Sequence, residues 1–165
     1  MKIEIRPYHP EDTPAILDII NYNILHSAAL YDYHPRSLAQ QTAMLEDKLS
    51  KGFPVIVAVE GEQLVGFGYY GEFRFREAYK YTVEHSVYAH PDCVGKGIGS
   101  MLLQALLDIA KQQNLHTMIG VIDSENKSSI AFHERFGFKT VGVLEEVGYK
   151  FDRWLDAVLM LKKIP

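Results

Sequence analysis

Three glycines at alternate positions, Gly95, Gly97 and Gly99, make residues 95–99 the part of this sequence best suited to binding a charged ligand. An apolar, β-branched run precedes them, and a helical pattern begins at Ile98. Closely spaced glycines let backbone N–H groups converge on one point, and the first turn of a helix adds free N–H donors and the positive end of its dipole. This combination predicts a receptor for a phosphate or pyrophosphate group.

Spacing excludes two familiar phosphate-binding loops. A Walker A loop requires a glycine five residues before its Gly-Lys pair, and His90 occupies that position before Gly95-Lys96. The dinucleotide fingerprint requires a third glycine three residues after the second, where this chain has Leu102 or Ser100. A tight turn without a ligand remains the alternative, because glycine-rich turns are common.

A second candidate for chemistry is Glu84, a carboxylate within an apolar strand pattern. Side chains of a strand alternate between its two faces, so Glu84 shares a face with Ser86 and lies opposite His85. A carboxylate in a central strand is costly unless it has a partner or a role, and partial burial raises its pKa toward neutrality, as a general base requires. The structural alternative is a Glu84 that pairs with Arg74 or Arg76.

The periodicity of the chain predicts the elements that hold these residues. The predicted order is β-α-α-β-β-β-α-β-α-β-β, with strands at residues 3–6, 54–60, 63–71, 81–89, 117–122, 139–147 and 154–162 and helices at about 12–23, 38–51, 98–113 and 127–135. The second helix is predicted to bury Leu38, Thr42, Leu45 and Leu49, and the third to bury Ile98, Met101, Leu102, Ala105, Leu106 and Ile109.

Composition narrows the class of protein. With 165 residues and 47% hydrophobic content, the chain is expected to form a single domain over residues 1–165. A net charge of −4 argues against a nucleic-acid partner, and the one cysteine is consistent with the reducing cytoplasm. No apolar run approaches the ~20 residues that cross a membrane, so no membrane partner is expected. The seven histidines lack metal-ligand spacing, so no metal is expected.

A second motif lies downstream, Asn126-x-x-Ser129-x-x-x-His133-x-x-x-Gly137-Phe138. Asn126 is a good residue to begin a helix, and Gly137 is a good residue to end it. The motif resembles the Asn-x-x-Ala-x-x-x-Tyr-x-x-x-Gly-Phe pattern of the GNAT acetyltransferases. By this resemblance, Asn126 and its helix would bind the pantetheine amides of acetyl-CoA, and His133 would lie near the thioester.

The glycine loop resembles the acyl-CoA pyrophosphate loop of the same family. Gly97 and Gly99 fall on its two glycine positions, and Val94 stands where the family usually has Arg or Gln. The resemblance covers essentially the whole chain. It implies an α/β GNAT fold with a mixed, splayed central sheet of about seven strands flanked by helices on both faces.

Four features resemble one branch of the family, the phosphinothricin and methionine sulfoximine N-acetyltransferases. They are residues 82–88, the aromatic and basic loop 73–79, His133 in place of the usual Tyr, and residues 148–156. In this branch a strand glutamate is the proposed base, and it corresponds to Glu84. The resemblance implies acetyl-CoA as co-substrate, a small amino-acid analogue as substrate, and a homodimer.

The resemblance also assigns the remaining site residues. Those implied to bind acetyl-CoA are Val87, Tyr88, Ala89, Gly95, Lys96, Gly97, Ile98, Gly99, Ser100 and Asn126. Those implied to bind the substrate are Arg74, Phe75, Arg76, Glu84, His85, Ser86 and Tyr31. The two arginines suit a carboxylate or phosphinate, because a planar guanidinium can bind two oxygens at once.

The implied mechanism is direct transfer of the acetyl group. Glu84, directly or through a water, takes a proton from the substrate amine, and backbone N–H groups around Tyr88 stabilise the thioester oxygen. His133 is a candidate to protonate or stabilise the departing thiolate, because its ordinary pKa is near neutral pH. Packing or capping is the alternative for His133. Two other functions remain open: acetylation of a protein N-terminus or another amine, and a non-catalytic acyl-CoA sensor.

Overall fold

The computed structural model describes residues 2–165. Its strands are β1 (Ile3–Pro7), β2 (Val55–Glu60), β3 (Gln63–Glu72), β4 (Thr82–Ala89), β5 (Thr117–Asp123), β6 (Lys139–Lys150) and β7 (Arg153–Lys163). Its helices are α1 (Thr13–His26), α2 (Leu38–Ser50), α3 (Ile98–Gln112) and α4 (Lys127–Arg135). Their order is the predicted one. Within the described residues, no helix combines the length and the hydropathy that crossing a membrane requires.

The seven strands form one sheet in the order β1-β2-β3-β4-β5-β7-β6. Neighbouring strands run antiparallel, except β4 and β5, which run parallel. These two strands pair only from Thr82↔Thr117 to Glu84↔Ile119. Beyond Glu84 they separate, so the predicted mixed, splayed sheet is confirmed.

Two apolar cores cover the two faces of this sheet. On one face, α1 buries Ile16, Ile19, Ile20 and Ile24 at helical spacing, each contributing about 1.5–3 kcal/mol relative to exposure. On the other face, α3 packs its apolar side against β3 and β4. Alternation along β4 directs Glu84 toward α2, and it directs His85 toward α4.

The predicted buried faces of two helices need correction. Leu38 and Leu49 of α2 are exposed, and its buried residues are Gln41 and Leu45. The reason is that α2 contacts α1 and β2 along only a narrow stripe. In α3, Met101 is also exposed rather than buried as predicted. The buried stripe of this helix is rotated about the helix axis by one residue relative to the predicted stripe.

The segment between α1 and α2 is fastened to β6. Lys150 is buried, and its Nζ donates hydrogen bonds to the carbonyl oxygens of Ser27 at 2.8 Å and Leu30 at 2.6 Å. Gly148 leaves room for the ring of Tyr31, because a Cβ at this glycine would lie 2.6 Å from a ring carbon. These contacts hold the segment beside the opening of the sheet.

Candidate active site

A groove of about 250 Å³ occupies the opening between β4 and β5. Its lining includes His85, Ser86, Val87, Tyr88 and Ala89 from β4 and Gly120, Val121, Ile122, Asp123, Asn126, Ser129 and His133 from β5 and the start of α4. Because β4 has no partner strand on this side beyond Glu84, its backbone polar groups are free to bind an elongated ligand. The groove thus brings together the predicted cofactor residues of β4 and α4.

The glycine loop adjoins the groove at Val94, a highly exposed residue that lines it. Gly95 and Gly97 have φ angles of +89° and +76°, a conformation that residues other than glycine rarely adopt. The first backbone hydrogen bond of α3 joins Met101 N–H to the carbonyl of Gly97 at 3.1 Å. The N–H groups of residues 98–100 therefore have no acceptor within the helix. These donors fit a pyrophosphate group.

Two polar side chains beside the groove already have protein partners. Lys96 Nζ lies 3.5 Å from Glu60 Oε2, so its charge is directed at that carboxylate. Asn126 Oδ1 accepts a hydrogen bond from Ser129 N–H at 3.2 Å and begins α4 as predicted. Backbone groups, more than these side chains, supply the donors of the site.

Glu84 is half-buried at the last β4 residue that pairs with β5. Burial raises the pKa of its carboxyl group, and the positive charge of Lys48 opposes the rise. Among residues 2–165, no basic group lies within 4.0 Å of this carboxylate, so the pair with Arg74 or Arg76 does not form. The carboxylate is therefore available to a group that enters the site.

Two adjoining cavities meet at Glu84. The first, of about 300 Å³, is lined by residues that include Lys48, Lys51, Tyr69, Gly71, Glu72, Glu84, Ser86 and Tyr88. The second, of about 430 Å³, is lined by Glu72, Phe73, Arg74, Phe75, Glu84, Val121, Leu144 and Leu159. Val121 also lines the groove between β4 and β5. An amine held at Glu84 would consequently lie beside that groove.

The structure does not bring three of the predicted substrate residues to these cavities. His85 points to the other face of the sheet, because adjacent strand residues alternate. Tyr31 donates a hydrogen bond from its hydroxyl to Asp123 Oδ1 at 2.9 Å and packs on Gly148 instead. Arg76 stacks over Phe75, 5.2 Å from the ring centroid, on the exposed loop.

His133 forms a buried pair with His85. The Nε2 atoms of the two rings are 3.0 Å apart, and His133 Nδ1 is 2.7 Å from the carbonyl oxygen of Ser129. A carbonyl only accepts, so His133 Nδ1 carries the proton and its Nε2 accepts from His85 Nε2–H. Burial lowers the pKa of both rings, that of His85 to about 3. His133 is thus a neutral ring with both nitrogens engaged.

Sequence reasoning missed Lys48. It lies on α2, and its Nζ is 4.4 Å from the centroid of the Tyr69 ring. A signal was present in the pattern, since Gln41, Leu45 and Lys48 stand at helical spacing on one face. Because two of these three residues are polar, the pattern indicates that this face of α2 lies in a partly polar environment.

Comparison with known proteins agrees with this geometry. Residues 20–138 match the Acetyltransferase (GNAT) family. The chain is 40% identical over 161 residues to an L-methionine sulfoximine/L-methionine sulfone acetyltransferase of Pseudomonas aeruginosa, covering 97% of this chain and 94% of the relative. It is 36% identical to an L-amino acid N-acyltransferase of Escherichia coli, covering 96% and 92% of the two chains.

A solved structure extends the match to three dimensions. The crystal structure of a phosphinothricin acetyltransferase from Sinorhizobium meliloti in complex with acetyl-CoA superposes with a TM-score of 0.96 and 33% identity, covering 99% of this chain and 89% of the other. The splayed sheet, the glycine loop and these relatives together establish that the chain belongs to the GNAT family and is an acetyl-CoA-dependent N-acetyltransferase.

Proposed function

We propose that this enzyme acetylates the α-amino group of small amino-acid analogues such as methionine sulfoximine, methionine sulfone and phosphinothricin, with Glu84 as the general base. The observation that carries the proposal is the position of Glu84, where a polar cavity meets the groove between β4 and β5. The names of the relatives support the substrate class. Arg74 and Phe75, which line a cavity with Glu84, supply a cation and an apolar wall for the substrate side chain.

The proposed chemistry is a direct transfer. The amine arrives as an ammonium group, and Glu84 removes one proton from it, which the raised pKa of the carboxyl group favours. The amine nitrogen then forms a bond to the acetyl carbon as the carbon–sulfur bond breaks. A second proton passes to the sulfur, and the third stays on the amide nitrogen, so the products are the N-acetyl amino acid and a free thiol.

Backbone groups of β4 are proposed to stabilise the thioester oxygen. Residues 86–89 keep their pairing with β3 but have lost β5 as a partner, so part of their backbone faces the groove. Fixed N–H donors aimed at a developing negative charge lower the barrier without reorganisation. The N–H groups around Tyr88 remain our candidates for this role. Because His90 N–H bonds to Val65 of β3, alternation along β4 directs the N–H groups of Val87 and Ala89 to the groove.

His133 has a proposed role at the sulfur end of the groove. Because its Nδ1–H is bound to Ser129 and its Nε2 to His85, it can protonate the thiolate only if the bond to His85 is exchanged for one to sulfur. We therefore propose a contribution smaller than that of Glu84, and His133→Asn is expected to lower kcat about tenfold, which is less than the roughly 10²- to 10⁴-fold that general acids typically contribute.

A homodimer is also part of the proposal. Strand β6 lies at one edge of the sheet, and most of its residues are exposed. Exposed apolar residues on the β6–β7 hairpin are Val141, Val143, Leu144, Val147, Tyr149, Phe151 and Trp154. An apolar edge strand of this kind is normally covered. Since Leu144 also lines a cavity with Glu84, a second copy at β6 would lie beside the substrate.

Light scattering at micromolar concentrations tests the dimer. The wild type is expected to have twice the mass of the chain, and Val143→Arg is expected to shift it toward the monomer. Met44→Arg, on the exposed side of α2, is the matched control and keeps the dimer. A monomeric wild type would contradict this part of the proposal.

Release of free thiol from acetyl-CoA tests the reaction. The purified protein is mixed with acetyl-CoA and, separately, with methionine sulfone, methionine sulfoximine, phosphinothricin, ordinary amino acids, an aminoglycoside and short peptides. Rapid release with the first three supports the proposal. Release with peptides alone favours a protein N-terminus as substrate, and acetyl-CoA binding without release from any amine favours a sensor.

A further inference from the structure

The ammonium group of Lys48 lies in the cavity that Glu84 lines, although it comes from a different element. Lys48 stands in the last turn of α2, and its side chain reaches over β3 toward Gly71. A Cβ at Gly71 would lie 2.9 Å from Lys48 Nζ, so the glycine provides the space that the ammonium fills. Gly71 is the β3 residue that pairs with Glu84 of β4. The register of the sheet therefore sets this cation beside the base.

Lys48 lacks the partner that a half-buried lysine usually has. Its neighbour Lys51 pairs with Asp47 and Glu72, each at 3.1 Å. Within residues 2–165, no carboxylate lies within 4.0 Å of Lys48 Nζ, whose ring contact is with Tyr69. A partly desolvated ammonium without an anion is costly, and it is a ready receptor for one.

We propose that Lys48 binds the α-carboxylate of the substrate and so selects α-amino acids over other amines. This inference rests on the proposed function. An α-amino acid carries its amine and its carboxylate on one carbon atom. Glu84 and Lys48 share one cavity but are more than 4.0 Å apart, which leaves room for the amine to bind Glu84 while the carboxylate binds Lys48.

The same arrangement divides the site between two cations. With the α-carboxylate on Lys48, Arg74 in the second cavity remains for the oxidised sulfur or phosphorus group of the side chain. Lys48 thus binds the α-carboxylate that all α-amino acids share, and Arg74 binds the side-chain group that distinguishes the analogues. An amine without a carboxylate would leave Lys48 unpaired and bind poorly.

The test compares methionine sulfone with its α-carboxamide, which has the same side chain and amine but no negative charge. Lys48→Met keeps the length of the side chain and removes the charge. For Lys48→Met, kcat/KM on the free acid is expected to fall about 10- to 100-fold, mainly through KM, as loss of a hydrogen bond between two charged groups predicts. At a pH above the acid limb of kcat/KM, activity on the carboxamide is expected to stay within about twofold, because that substrate has no carboxylate for Lys48 to bind.

Two further variants distinguish the loss of the charge at Lys48 from a general loss of activity. Lys48→Arg retains the charge and is expected to retain most of the preference for the free acid. Lys111→Met removes an exposed lysine from the last turn of α3, outside both cavities at Glu84, and it is expected to change neither substrate's kcat/KM by more than about twofold. Unfolding temperatures of all three variants show whether each is folded.

Two outcomes overturn the inference in different ways. If Lys48→Met lowers activity on the acid and the carboxamide equally, Lys48 acts on Glu84 or on the fold rather than on the carboxylate, and the proposed function stands. If the wild type acetylates neither compound while it still binds acetyl-CoA, the proposed function fails, and the assignment of Lys48 fails with it.

Discussion

The two ends of the active site are built from different parts of the polypeptide. At the acetyl-CoA end, the groups that fit the ligand are backbone N–H groups, supplied by the glycine loop and by β4 beyond Glu84. At the proposed amine end they are the side chains of Glu84, Lys48 and Arg74, which come from β4, α2 and a loop. A backbone site depends on local conformation, whereas a side-chain site depends on packing between distant segments. One fold can therefore keep its acetyl donor while its acceptor changes.

The substitution Glu84→Gln tests whether the two ends of the site act separately, and it has the largest expected effect. If the amine end works through the Glu84 carboxylate, kcat falls by about 10²- to 10⁴-fold while the affinity for acetyl-CoA is unchanged. Stopped-flow thiol release gives the first quantity, and titration with acetyl-CoA gives the second. A weakened affinity would show that the two ends are not separate, and full activity would remove Glu84 as the base.

The pH dependence of kcat/KM in the wild type is a second test of Glu84 as the general base. Burial raises the pKa of Glu84 above its ordinary value of 4.5, so kcat/KM should fall as the pH falls through that raised pKa and the base becomes protonated. In Lys48→Met the opposing positive charge is gone, so this acid limb should move to higher pH. Profiles of kcat/KM for the carboxamide measure the shift without interference from carboxylate binding.

The difference between the two ends also explains what the sequence could predict. Gly95 and Gly97, Asn126 at the start of α4 and the order of the elements follow from local rules, and the structure has each where the pattern indicated. The face of β4 that Glu84 occupies could be predicted because strand alternation is local too, while its role as the base stays a prediction. Lys48 was missed because its proposed role arises from the approach of its Nζ to Gly71 of β3, a contact between distant segments that no local pattern specifies.

Tyr31 and His85 illustrate the same limit. Both were assigned to the substrate, yet Tyr31 is directed to Asp123 by the attachment of its segment to β6. His85 is one residue from Glu84, but it lies on the other face of the sheet and contacts His133. Proximity to Glu84 in sequence predicted little about where His85 lies, because one step along a strand reverses the direction of the side chain.

The pair formed by His85 and His133, which lines the groove between β4 and β5, provides the next prediction. Since the pKa of His85 is lowered to about 3 in the folded state, the unfolded chain binds more protons below pH 6.5, and stability must fall as the pH decreases from 6.5 toward 3. Between pH 7.5 and 5, this ring accounts for a loss of about 2 kcal/mol in the free energy of unfolding. Urea titrations at the two pH values measure it.

His85→Leu should remove that share of the pH dependence, whatever its effect on stability at pH 7.5. His34→Gln, a change of an exposed histidine, is the control and should leave the slope as it is in the wild type. An unchanged slope in His85→Leu would mean that the pair is charged in the folded protein.

The smallest expected effect belongs to the acetyl-CoA end, and it tests whether backbone conformation alone makes that end. Gly97→Ala places a Cβ in the left-handed region at φ +76°, which costs about 1–2 kcal/mol, although no atom lies within 4 Å of that Cβ. If the loop relaxes to relieve the strain, its N–H groups turn away from the pyrophosphate, and KM for acetyl-CoA rises about tenfold with kcat nearly unchanged.

Gly52→Ala is the matched control, since Gly52 has φ +81° and equally open surroundings but lies at the end of α2, outside the groove. Both variants should lose similar stability, and only Gly97→Ala should lose affinity for acetyl-CoA. Equal affinity in the two variants would mean that side chains hold the pyrophosphate, and the contrast between the two ends of the site would not stand.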